Sequence, residues 1–504
     1  MRQNPSAPIL IVGAGPTGLN LALWLTRLNV RVRLVDSVAQ AGTTSRALAV
    51  QARTLELYQQ LGFADAVVND GVKILGLNVW AGGKKAARMP LGEIGKGISP
   101  FSFALVYPQD AHEKLLIEKL ADLGVHVERE VELVSLAQQT EGVDVALRTR
   151  SGEEQFHASY VAGCDGASST VRHQLGIGFP GGTYEGLFYV ADVVAEGPVA
   201  DNELHVDLED SDFLLVFPLK GNGRLRLVGF VREQANASTG TLTFDDVRGK
   251  ATEHVHLANV QVNWFSTYRV HHRVADRFRK DRVFLLGDAA HVHSPVGGQG
   301  MNTGIGDAVN LAWKLAAVLK GEASPRLLDS YEPERIAFAQ RLVATTDRGF
   351  AIATARGPIA RFIRTQLIPL IAPFLTRVPT VRRLLFRTVS QTNIEYRRSS
   401  LSEGKAGKIR AGERLPWARD GDVDNFDSLE LLGWQVHVYG TARPELMAAC
   451  KQLGIALTQF SPGPATHRAG LADDALYLIR PDGYVGLADP EANPNRLINY
   501  FRRL

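Results

Sequence analysis

The glycine-rich stretch at residues 282–319 constrains the fold more than any other part of the chain. An apolar run at residues 283–286 predicts a buried strand, and a glycine-rich loop then leads into a long helical pattern. Glycines between a strand and a helix let backbone N–H groups approach a ligand, and the helix N-terminus favours negative charge. Asp288 follows the strand, and because its carboxylate would repel a phosphate, we expect it to bind a ribityl or ribose hydroxyl. The alternative is an ordinary strand–turn–helix with a capping aspartate.

The N-terminus carries a second glycine motif with the pattern of a dinucleotide-binding unit, although a tight turn without a ligand can share it. A strand pattern at residues 9–12 precedes the sequence GAGPTG, and a helix pattern and a second strand follow. In such a unit Gly13 makes the turn, Gly15 admits a pyrophosphate and Gly18 lets the helix pack on the strand. Asp36, at the end of the second strand, can accept hydrogen bonds from a ribose diol. The residues predicted to meet the nucleotide are Gly13, Gly15, Pro16, Thr17, Gly18, Asp36 and Ser37.

Two further candidate ligand contacts lie between these motifs. Arg46 and Arg53 are seven positions apart, so they share one face if a helix has already begun. An arginine there can bind a diphosphate through paired hydrogen bonds, whereas a solvated surface position is the alternative for Arg53. At residues 161–172, small residues surround Asp165 at a strand end, which suits close approach of the backbone to a ligand. A serine-rich helix N-cap explains that pattern equally well.

Residues 183–274 alternate between apolar and polar side chains, which predicts a β-sheet inserted into the nucleotide-binding fold. Residues 73–101 also have strand character, and the sequence GNG at residues 221–223 predicts a hairpin turn. We expect this sheet to cover a cofactor and to supply substrate contacts. Strand parity would turn only some of its aromatic side chains toward a pocket, and a packed sheet core is the alternative. The aromatic candidates are Phe213, Phe217, Phe230, Trp264 and Phe265.

Length and composition bound the class of protein. At 504 residues the chain exceeds one ordinary core, and its 45% apolar and 22% charged residues are typical of a globular protein. A net charge of +3 without a basic block gives no reason to expect a nucleic acid partner. Two cysteines, Cys164 and Cys450, predict neither a disulfide framework nor a metal site, and they suit a reducing cytoplasm. The N-terminus lacks the cleavage pattern of a secretory signal.

One internal segment, at residues 358–375, raises the question of a membrane. It is apolar, but Arg361, Arg364 and several prolines interrupt it, and its uncharged part is too short to span a bilayer. We therefore expect no stable membrane insertion. The pattern predicts helices packed behind a core, with an interfacial helix as the alternative.

Taken together, three sequences resemble the single-component flavin-dependent aromatic hydroxylases, the family typified by para-hydroxybenzoate hydroxylase and phenol hydroxylase. They are GAGPTG with Asp36, GCDGASSTVR, which resembles the family's Asp-Gly motif, and GDAAHVHSPVGGQGMNTGIGDAVNLAWKL, which resembles its Gly-Asp motif. The stretch at residues 331–335 is similar to the family's pattern after that helix. The last hundred residues have a strand–helix–strand rhythm and resemble the thioredoxin-like tail of the larger members. They contain no CxxC pair, so no redox role is expected there.

The resemblance implies an α/β fold with three parts: a Rossmann-like FAD-binding domain, an inserted β-sheet substrate domain and a C-terminal thioredoxin-like α/β domain. The FAD-binding domain would be discontinuous, because the sheet domain interrupts it twice. The expected boundaries are 1–72, 102–182 and 275–350 for the FAD-binding domain, 73–101 and 183–274 for the substrate domain, 351–403 for a helical linker and 404–504 for the thioredoxin-like domain.

The resemblance also implies roles for individual residues around non-covalently bound FAD. The first motif would hold the ADP half, Arg46 would meet the diphosphate, and Gln109 would contact the sugar chain of the flavin. Asp288 would bind ribityl or diphosphate-linked groups, whereas Asp165 would shape the fold rather than bind FAD directly. Backbone N–H groups at the start of the last helix would face the pyrimidine end of the isoalloxazine ring, where reduced flavin carries negative charge. Pro295 would border the ring, and the loop and helix start would contribute Gly298, Gly300, Met301 and Asn302.

The reaction implied by the resemblance is a monooxygenation that consumes O2 and NADPH or NADH. Hydride transfer to FAD and oxygen addition would give a flavin hydroperoxide, whose distal oxygen an electron-rich, phenolic ring attacks. The aromatic side chains of the inserted sheet favour a bulky, flat substrate such as a polycyclic or alkylated phenol. No metal is expected, and the sequence identifies no catalytic acid or base. The candidates, each with a structural role as the alternative, are His205, His271, His272, His291 and His293.

Two other functions fit the same residues. A related flavoprotein epoxidase or reductase would act on an isoprenoid or another non-phenolic substrate. A non-enzymatic module would sequester a ring compound and keep FAD as a structural relic, although the intact loop at residues 295–302 argues against it. We expect a cytoplasmic enzyme whose partner is a small aromatic substrate, and the sequence leaves a homodimer open.

Overall fold

The computed structural model describes residues 7–42, 47–208, 213–231, 242–294, 297–375 and 377–504. The chain is an α/β protein whose larger sheets have six, seven and six strands. The first sheet carries the three glycine motifs, the second is antiparallel for the most part, and the third lies in the C-terminal part of the chain.

The first sheet brings the three glycine motifs together. Its strands, in spatial order, are Arg279–Lys280, Val283–Leu285, Val161–Gly163, Ile9–Val12, Val32–Asp36 and Val127–Arg129. All neighbours are parallel except the first pair. The register pairs Val12 with Gly163 and Gly163 with Leu285, so the three motifs leave the sheet side by side at its carboxyl edge. In open parallel sheets this is the edge outside which ligands bind.

Helices Pro16–Arg27 and Gly300–Leu319 follow the two outer motifs and pack against each other. Proline is favourable at the start of the first helix because a helix leaves its first N–H groups without an internal partner. Strand Ile9–Val12 is buried along its whole length, as a parallel sheet covered on both faces requires. Further helices and strands of this part are Ala49–Val50, Ala52–Gln60, Ala64–Asp70, Val72–Ile74, Ala104–Val106, Gln109–Asp122, Glu132–Gln138, Val143–Thr149, Gly152–Ala158 and Thr170–Gln174.

The seven-stranded sheet is assembled from two separate stretches of chain. Its strands, in spatial order, are Ala258–Tyr268, Leu187–Glu196, Arg224–Val231, Leu214–Pro218, Leu204–Asp207, Gly76–Ala81 and Lys84–Pro90. The hairpin predicted at residues 221–223 is confirmed, with the Leu219 N–H donating to the Arg224 carbonyl at 2.9 Å. A separate three-stranded sheet consists of Gly181–Thr183, His271–Val274 and His291–Val292.

Alternation along these strands gives the seven-stranded sheet two different faces. Tyr189 and Leu227 pack on one face with Phe244 of helix Phe244–Thr252. Phe188 is one residue from Tyr189 and Phe230 is three residues from Leu227, and these two phenylalanines pack on the opposite face. The aromatic candidates of the sheet therefore do not all share one face, as the period-two pattern predicted.

Helix Tyr331–Thr354 leads from the first sheet into a helical segment. That segment consists of Pro358–Phe362, a π-helical turn Ile363–Leu367, Ile368–Leu375 and Pro379–Val389. The prediction that residues 358–375 pack behind a core is wrong for much of the segment, because Ile359 is 75% exposed and Phe362 60%. Among the described residues, no helix has both the length and the apolar character that crossing a bilayer requires.

The C-terminal part has the thioredoxin arrangement. Strands Gln435–Tyr439 and Ala456–Phe460 are parallel and are joined by helix Pro444–Leu453. Leu476–Ile479 pairs antiparallel with the first of these, and Val485–Asp489 pairs antiparallel with Leu476–Ile479. The remaining elements are Glu403–Ala406, Ile409–Arg410, Arg419–Asp420, Val423–Asp424, Pro464–Ala469 and Pro494–Arg502. The predicted fold class, with its Rossmann-like, β-sheet and thioredoxin-like parts, is confirmed.

Candidate cofactor site

A cavity of about 470 Å³ opens at the carboxyl edge of the first sheet, where the first two glycine motifs leave it. We call it the cofactor cavity. Its wall is formed by the glycine turn, the ends of two neighbouring strands and the start of helix Gln109–Asp122. The lining residues used below are Gly13, Gly15, Asp36, Ser37, Gln109, Glu113, Arg129, Cys164 and Asp165.

The three glycines of the first motif have three different reasons to lack a side chain. Gly13 has φ +102°, and a Cβ there would clash with the Cys164 carbonyl oxygen. A Cβ at Gly18 would clash with the Gly13 carbonyl oxygen, so the helix could not lie this close to the turn. A Cβ at Gly15 would meet no protein atom within 4 Å, and Gly15 lines the cofactor cavity. The absence of a side chain at Gly15 therefore leaves space for a ligand, whereas at Gly13 and Gly18 it leaves space for other protein atoms.

Asp36 is held in place by the glycine turn itself. Its Oδ2 accepts a hydrogen bond from the Ala14 N–H at 2.7 Å, and its Oδ1 accepts one from the Val38 N–H at 3.0 Å. A carboxylate has about four acceptor positions, so two remain for a ribose diol. Ser37 lies beside it, exposed at the rim.

Arg129 and Glu113 also line the cavity, and sequence reasoning missed both. Arg129 ends the strand that pairs with Val32–Asp36, and its Nη1 is 3.6 Å from Asp36 Oδ2. Gln109, which was predicted, donates from its Nε2 to Glu113 Oε1 at 2.7 Å. Burial raises the pKa of Glu113, and the hydrogen bond from Gln109 offsets part of that effect. The i, i+4 spacing of the glutamine and the glutamate was the available signal.

Asp165 lines the cavity while its side chain is engaged by the protein. Its Oδ1 accepts from Ser169 Oγ at 2.6 Å and its Oδ2 from the Val171 N–H at 3.0 Å, which fastens the start of helix Thr170–Gln174. Burial raises the pKa of Asp165 even though these hydrogen bonds lower it. This geometry matches the expectation that Asp165 shapes the fold.

The third motif meets the first through a contact that excludes side chains. A Cβ at Gly287 would lie only 2.5 Å from Thr17 Oγ1, and a Cβ at Gly304 would also clash with that oxygen. Helices Pro16–Arg27 and Gly300–Leu319 can approach closely for this reason. Asp288 lies in the short 3-10 turn Gly287–Ala289 with its side chain exposed, and it is not among the residues that line the cofactor cavity.

The start of helix Gly300–Leu319 is fixed by the Asn302 side chain. Its Oδ1 accepts from the Gln51 N–H at 2.9 Å and from Thr54 Oγ1 at 2.8 Å, and its Nδ2 donates to the carbonyls of Ala49 and Gly298, both at 2.9 Å. The amide is therefore committed to the fold, and the helix N-terminus offers its backbone N–H groups to a ligand. Met301 is partly buried against the core. Arg46 and Pro295 lie outside the described residues.

His293 combines an unpartnered ring nitrogen with a position beside the start of helix Gly300–Leu319. Its Nδ1 bonds the Ser294 carbonyl at 2.7 Å, its Nε2 is buried with no partner among the described residues, and a Cβ at Gly300 would lie 3.5 Å from that atom. Burial lowers the pKa of His293 to about 4, so the ring is neutral at pH 7. An unpartnered acceptor beside a helix N-terminus fits a bound cofactor or substrate that donates to it.

Each of the remaining histidine candidates has at least one contact within the protein, although Nδ1 of His272 and Nδ1 of His291 are also buried without a partner among the described residues. Trp80 Nε1 donates to His205 Nδ1 at 3.0 Å. His271 Nδ1 is 2.7 Å from Thr183 Oγ1, and the ring of His272 packs edge-on against Tyr184. His291 Nε2 lies 2.7 Å from Oδ2 of Asp307. These contacts are consistent with the structural role that was the alternative for each of the four.

A buried carboxylate that sequence reasoning missed holds the third motif together. Asp307 Oδ2 also accepts from the Gly287 N–H at 3.0 Å, and its Oδ1 accepts from Arg335 Nε at 2.6 Å. Arg335 in turn donates to Tyr396 Oη at 2.7 Å. Burial alone would raise the pKa of Asp307, but the adjacent Arg335 charge outweighs it and lowers that pKa. The stretch at residues 331–335 therefore supplies the counter-ion of the glycine loop.

Next to this cluster lies a second one, which we call the charged junction: Lys314, Glu334, Arg480 and Asp482, with side chains at most 3% exposed. Arg480 Nη1 and Nη2 donate to the two Glu334 oxygens at 2.8 and 3.0 Å, and Lys314 Nζ donates to Glu334 at 2.8 Å. Arg480 Nη2 also reaches Asp482 at 2.6 Å. These contacts bind the thioredoxin-like part to helix Tyr331–Thr354 and, through Lys314, to helix Gly300–Leu319.

Arg53 contacts the charged junction rather than a cofactor site. It is 5% exposed, it donates to Glu56 at 2.9 Å, and it donates to the backbone carbonyl of Asp482. Arg53 is therefore not a solvated surface residue. Its guanidinium binds Asp482, 429 positions away, instead of the diphosphate contact considered for it.

The phenylalanine candidates divide among three packed clusters. Phe213 and Phe230 stack with centroids 6.0 Å apart and are buried with Phe188 and with Phe350 of helix Tyr331–Thr354. Phe217 is partly buried in a neighbouring cluster that contains Trp264. Phe265 faces the other side of the sheet. The sheet-core interpretation holds for the first pair.

The chain matches the model of the FAD binding domain family over residues 6–346. It is 35% identical over 498 residues to a flavin-dependent monooxygenase of Mycobacteroides abscessus, covering 95% of this chain and 96% of that one. It is 32% identical over 422 residues to the pentachlorophenol 4-monooxygenase of Sphingobium chlorophenolicum, covering 82% and 76%. Among solved structures, the OxyS anhydrotetracycline hydroxylase of Streptomyces rimosus superposes with a TM-score of 0.78 at 28% identity over 99% of both chains.

The cofactor cavity and these likenesses lead to one assignment. The bare backbone at Gly15, the free acceptor positions of Asp36 and the unpartnered His293 Nε2 fit FAD, and the proteins named above are a flavin-dependent monooxygenase, a pentachlorophenol 4-monooxygenase and an anhydrotetracycline hydroxylase. The chain belongs to the FAD binding domain family of flavin-dependent monooxygenases.

Proposed function

We propose that this FAD-dependent monooxygenase hydroxylates a bulky phenolic compound, with the ADP half of FAD in the cofactor cavity and the flavin ring at the start of helix Gly300–Leu319. The observation that carries the placement is the register of Val12, Gly163 and Leu285, which brings all three glycine motifs to one edge. FAD, reduced by NADPH or NADH, supplies the oxygen chemistry when it is bound.

The chain's own residues bind and orient the cofactor in this proposal. Gly15 admits the diphosphate, Asp36 accepts from the adenosine ribose, and Gln109 approaches the sugar chain of the flavin. Arg46, Ser37, Pro16, Thr17, Gly298 and Asp288 remain predicted contacts. Backbone N–H groups of residues 300–302 are fixed before any reaction begins, so they stabilise negative charge on a ring without rearranging.

In this proposal the His293 side chain is a hydrogen-bond acceptor at the start of helix Gly300–Leu319. Its Nδ1–H donates to the Ser294 carbonyl, which leaves Nε2 as an acceptor. Because burial holds its pKa at about 4, the imidazole is neutral and accepts a hydrogen bond from the flavin or the substrate over the usual range of pH.

The substrate lies, in this proposal, between the flavin and the face of the seven-stranded sheet that carries Phe217 and Trp264. Both residues are partly buried there. On the same face Arg226 and Asp192 form an ion pair, with Arg226 Nε donating to Asp192 Oδ1 at 2.6 Å, which offers polar groups to a substrate hydroxyl. A relative named for pentachlorophenol and a neighbour named for anhydrotetracycline support a phenolic or four-ring substrate.

Two further features stay proposals. We propose that the enzyme works in the cytoplasm, since its two cysteines are free, and the homodimer that the sequence left open also remains a proposal. The domain boundaries stated from the sequence are retained as proposals as well.

The experiment that tests the function is a substrate-dependent turnover assay. The purified protein should be yellow with non-covalent FAD and should oxidise NADPH or NADH faster when a polycyclic phenol is present. Oxygen consumption should match the hydroxylated aromatic product. A folded protein that is colourless and cannot be reconstituted with FAD would refute the proposal, and an epoxidised isoprenoid as the matched product would select the alternative enzyme class.

A further inference from the structure

The helical segment between Asp347 and Glu395 has an unusual charge pattern. It contains no aspartate or glutamate at residues 348–394, whereas the whole chain has nearly equal numbers of acidic and basic residues. Its basic residues are Arg348, Arg356, Arg361, Arg364, Arg377, Arg382, Arg383 and Arg387. The segment is therefore strongly cationic within a chain whose net charge is only +3.

The same segment turns its apolar stripe outward. Ile359, Phe362, Leu370 and Phe374 are 75%, 60%, 65% and 61% exposed, and their spacings of three, eight and four residues place them along one side of a helix. The buried side holds Arg364, which is 3% exposed and donates to the carbonyls of Leu208 and Ala355. This is the reverse of a helix that packs its apolar face on a core.

Helix Pro379–Val389 repeats this arrangement. Phe386 is its single fully buried apolar anchor among the described side chains, at 4% exposure against the backbone of Gly95. Leu384, at 63% exposure, and Val389, at 41%, face outward together with exposed arginines. Exposed large apolar side chains in this number, interleaved with cations, mark an interaction surface. We call the set Ile359, Phe362, Leu370, Phe374 and Leu384 the exposed apolar stripe.

We propose that residues 356–389 dock this enzyme onto an anionic lipid surface. Interfacial helices combine an apolar face, which enters the boundary between headgroups and acyl chains, with arginines that meet anionic headgroups. A second copy of the chain fits less well, because a symmetric contact would place one arginine cluster against another. The mode is peripheral, since no described helix could cross a bilayer.

The test is vesicle co-sedimentation of the FAD-loaded enzyme. Vesicles that contain phosphatidylglycerol should sediment the enzyme, vesicles of phosphatidylcholine alone should sediment much less, and added salt should release it. The double variant Phe362→Ser/Leu370→Ser should bind at least about tenfold more weakly. Its matched control is Val423→Ser/Leu431→Ser, which removes two side chains of similar exposure, 57% and 62%, elsewhere on the surface. The control should bind like the parent enzyme.

A second variant tests the charge and guards against misfolding. Arg361→Gln/Arg383→Gln/Arg387→Gln should weaken binding and flatten its salt dependence, while all variants should keep the parent's FAD content and melting temperature. Failure to bind phosphatidylglycerol vesicles at low salt, or equal binding by the serine variant, overturns the proposal. A dimer that the serine variant abolishes, without vesicle binding, overturns it in favour of a second copy. Vesicle binding with the stated dependence supports it, whatever substrate the enzyme hydroxylates.

Discussion

The cofactor cavity and the charged junction both contain a buried glutamate, and the two glutamates are opposite in character. Glu113, in the cavity, has an amide as its neighbour, so burial raises its pKa. Glu334, in the junction, is also buried, but Arg480 and Lys314 outweigh the burial and hold its pKa well below the usual value. The Gln109 amide and the Arg129 charge offset only part of the effect of burial on Glu113, whereas Glu334 lies between two cations that stabilise its ionised form.

The largest expected effect is the loss of Arg480. Arg480→Ala leaves Glu334 and Asp482 buried with too little positive charge, which should lower the free energy of unfolding by about 3–5 kcal/mol. Urea denaturation measures this, with Arg468→Ala, an exposed arginine of the same part of the chain, as the control. Equal stability of the two variants would show that the junction does not hold the thioredoxin-like part in place.

The cavity should respond in ligand affinity rather than in stability. Gly15→Val places a side chain where no protein atom lies within 4 Å, so FAD binding should weaken by about tenfold to a hundredfold while the FAD-free protein changes by less than about 0.5 kcal/mol. Gly18→Ala should instead destabilise the FAD-free protein, because its Cβ meets the Gly13 carbonyl oxygen. Fluorescence titration with FAD and thermal unfolding separate the two. An unchanged FAD affinity in Gly15→Val would place the diphosphate elsewhere.

The two glutamates should also give opposite pH dependences. Burial raises the pKa of Glu113 above its ordinary value of 4.5, so the stability it contributes is present below pH 4.5 and is lost as pH rises through the folded pKa. Glu334 contributes stability above pH 4.5 that is lost as pH falls. Glu113→Gln should therefore raise the free energy of unfolding of the FAD-free protein at pH 8 by about 1 kcal/mol. Exposed Glu118→Gln on the same helix is the control, and a loss of stability in Glu113→Gln would contradict the assignment.

The smallest expected effect concerns the thioredoxin-like part itself. Cys450 is 2% exposed in helix Pro444–Leu453, and burial raises the pKa of its thiol to about 11, so it is inert at neutral pH. Cys450→Ser should leave NAD(P)H oxidation and hydroxylation within about twofold of the parent. Turnover lost with FAD content and melting temperature intact would assign a chemical role to the thiol.

The local units of this protein could be predicted from its sequence. A strand, a glycine turn, a helix and an acid all lie within residues 9–36, so short-range sterics and periodicity suffice to place Gly13, Gly18 and Asp36. Apolar periodicity likewise predicted the two faces of the inserted sheet, because side-chain direction alternates strictly along a strand.

Long-range partners were decided only by the tertiary structure. The sequence could not reveal that Arg53 meets Asp482, that Arg480 meets Glu334, or that the Asn302 amide fastens a strand 253 positions away. A charged or amide side chain can pair with any complementary group, and which group it meets depends on how whole elements pack. The prediction that residues 358–375 pack behind a core was wrong for the same reason. Periodicity shows that a helix has an apolar face, but it does not show what that face contacts.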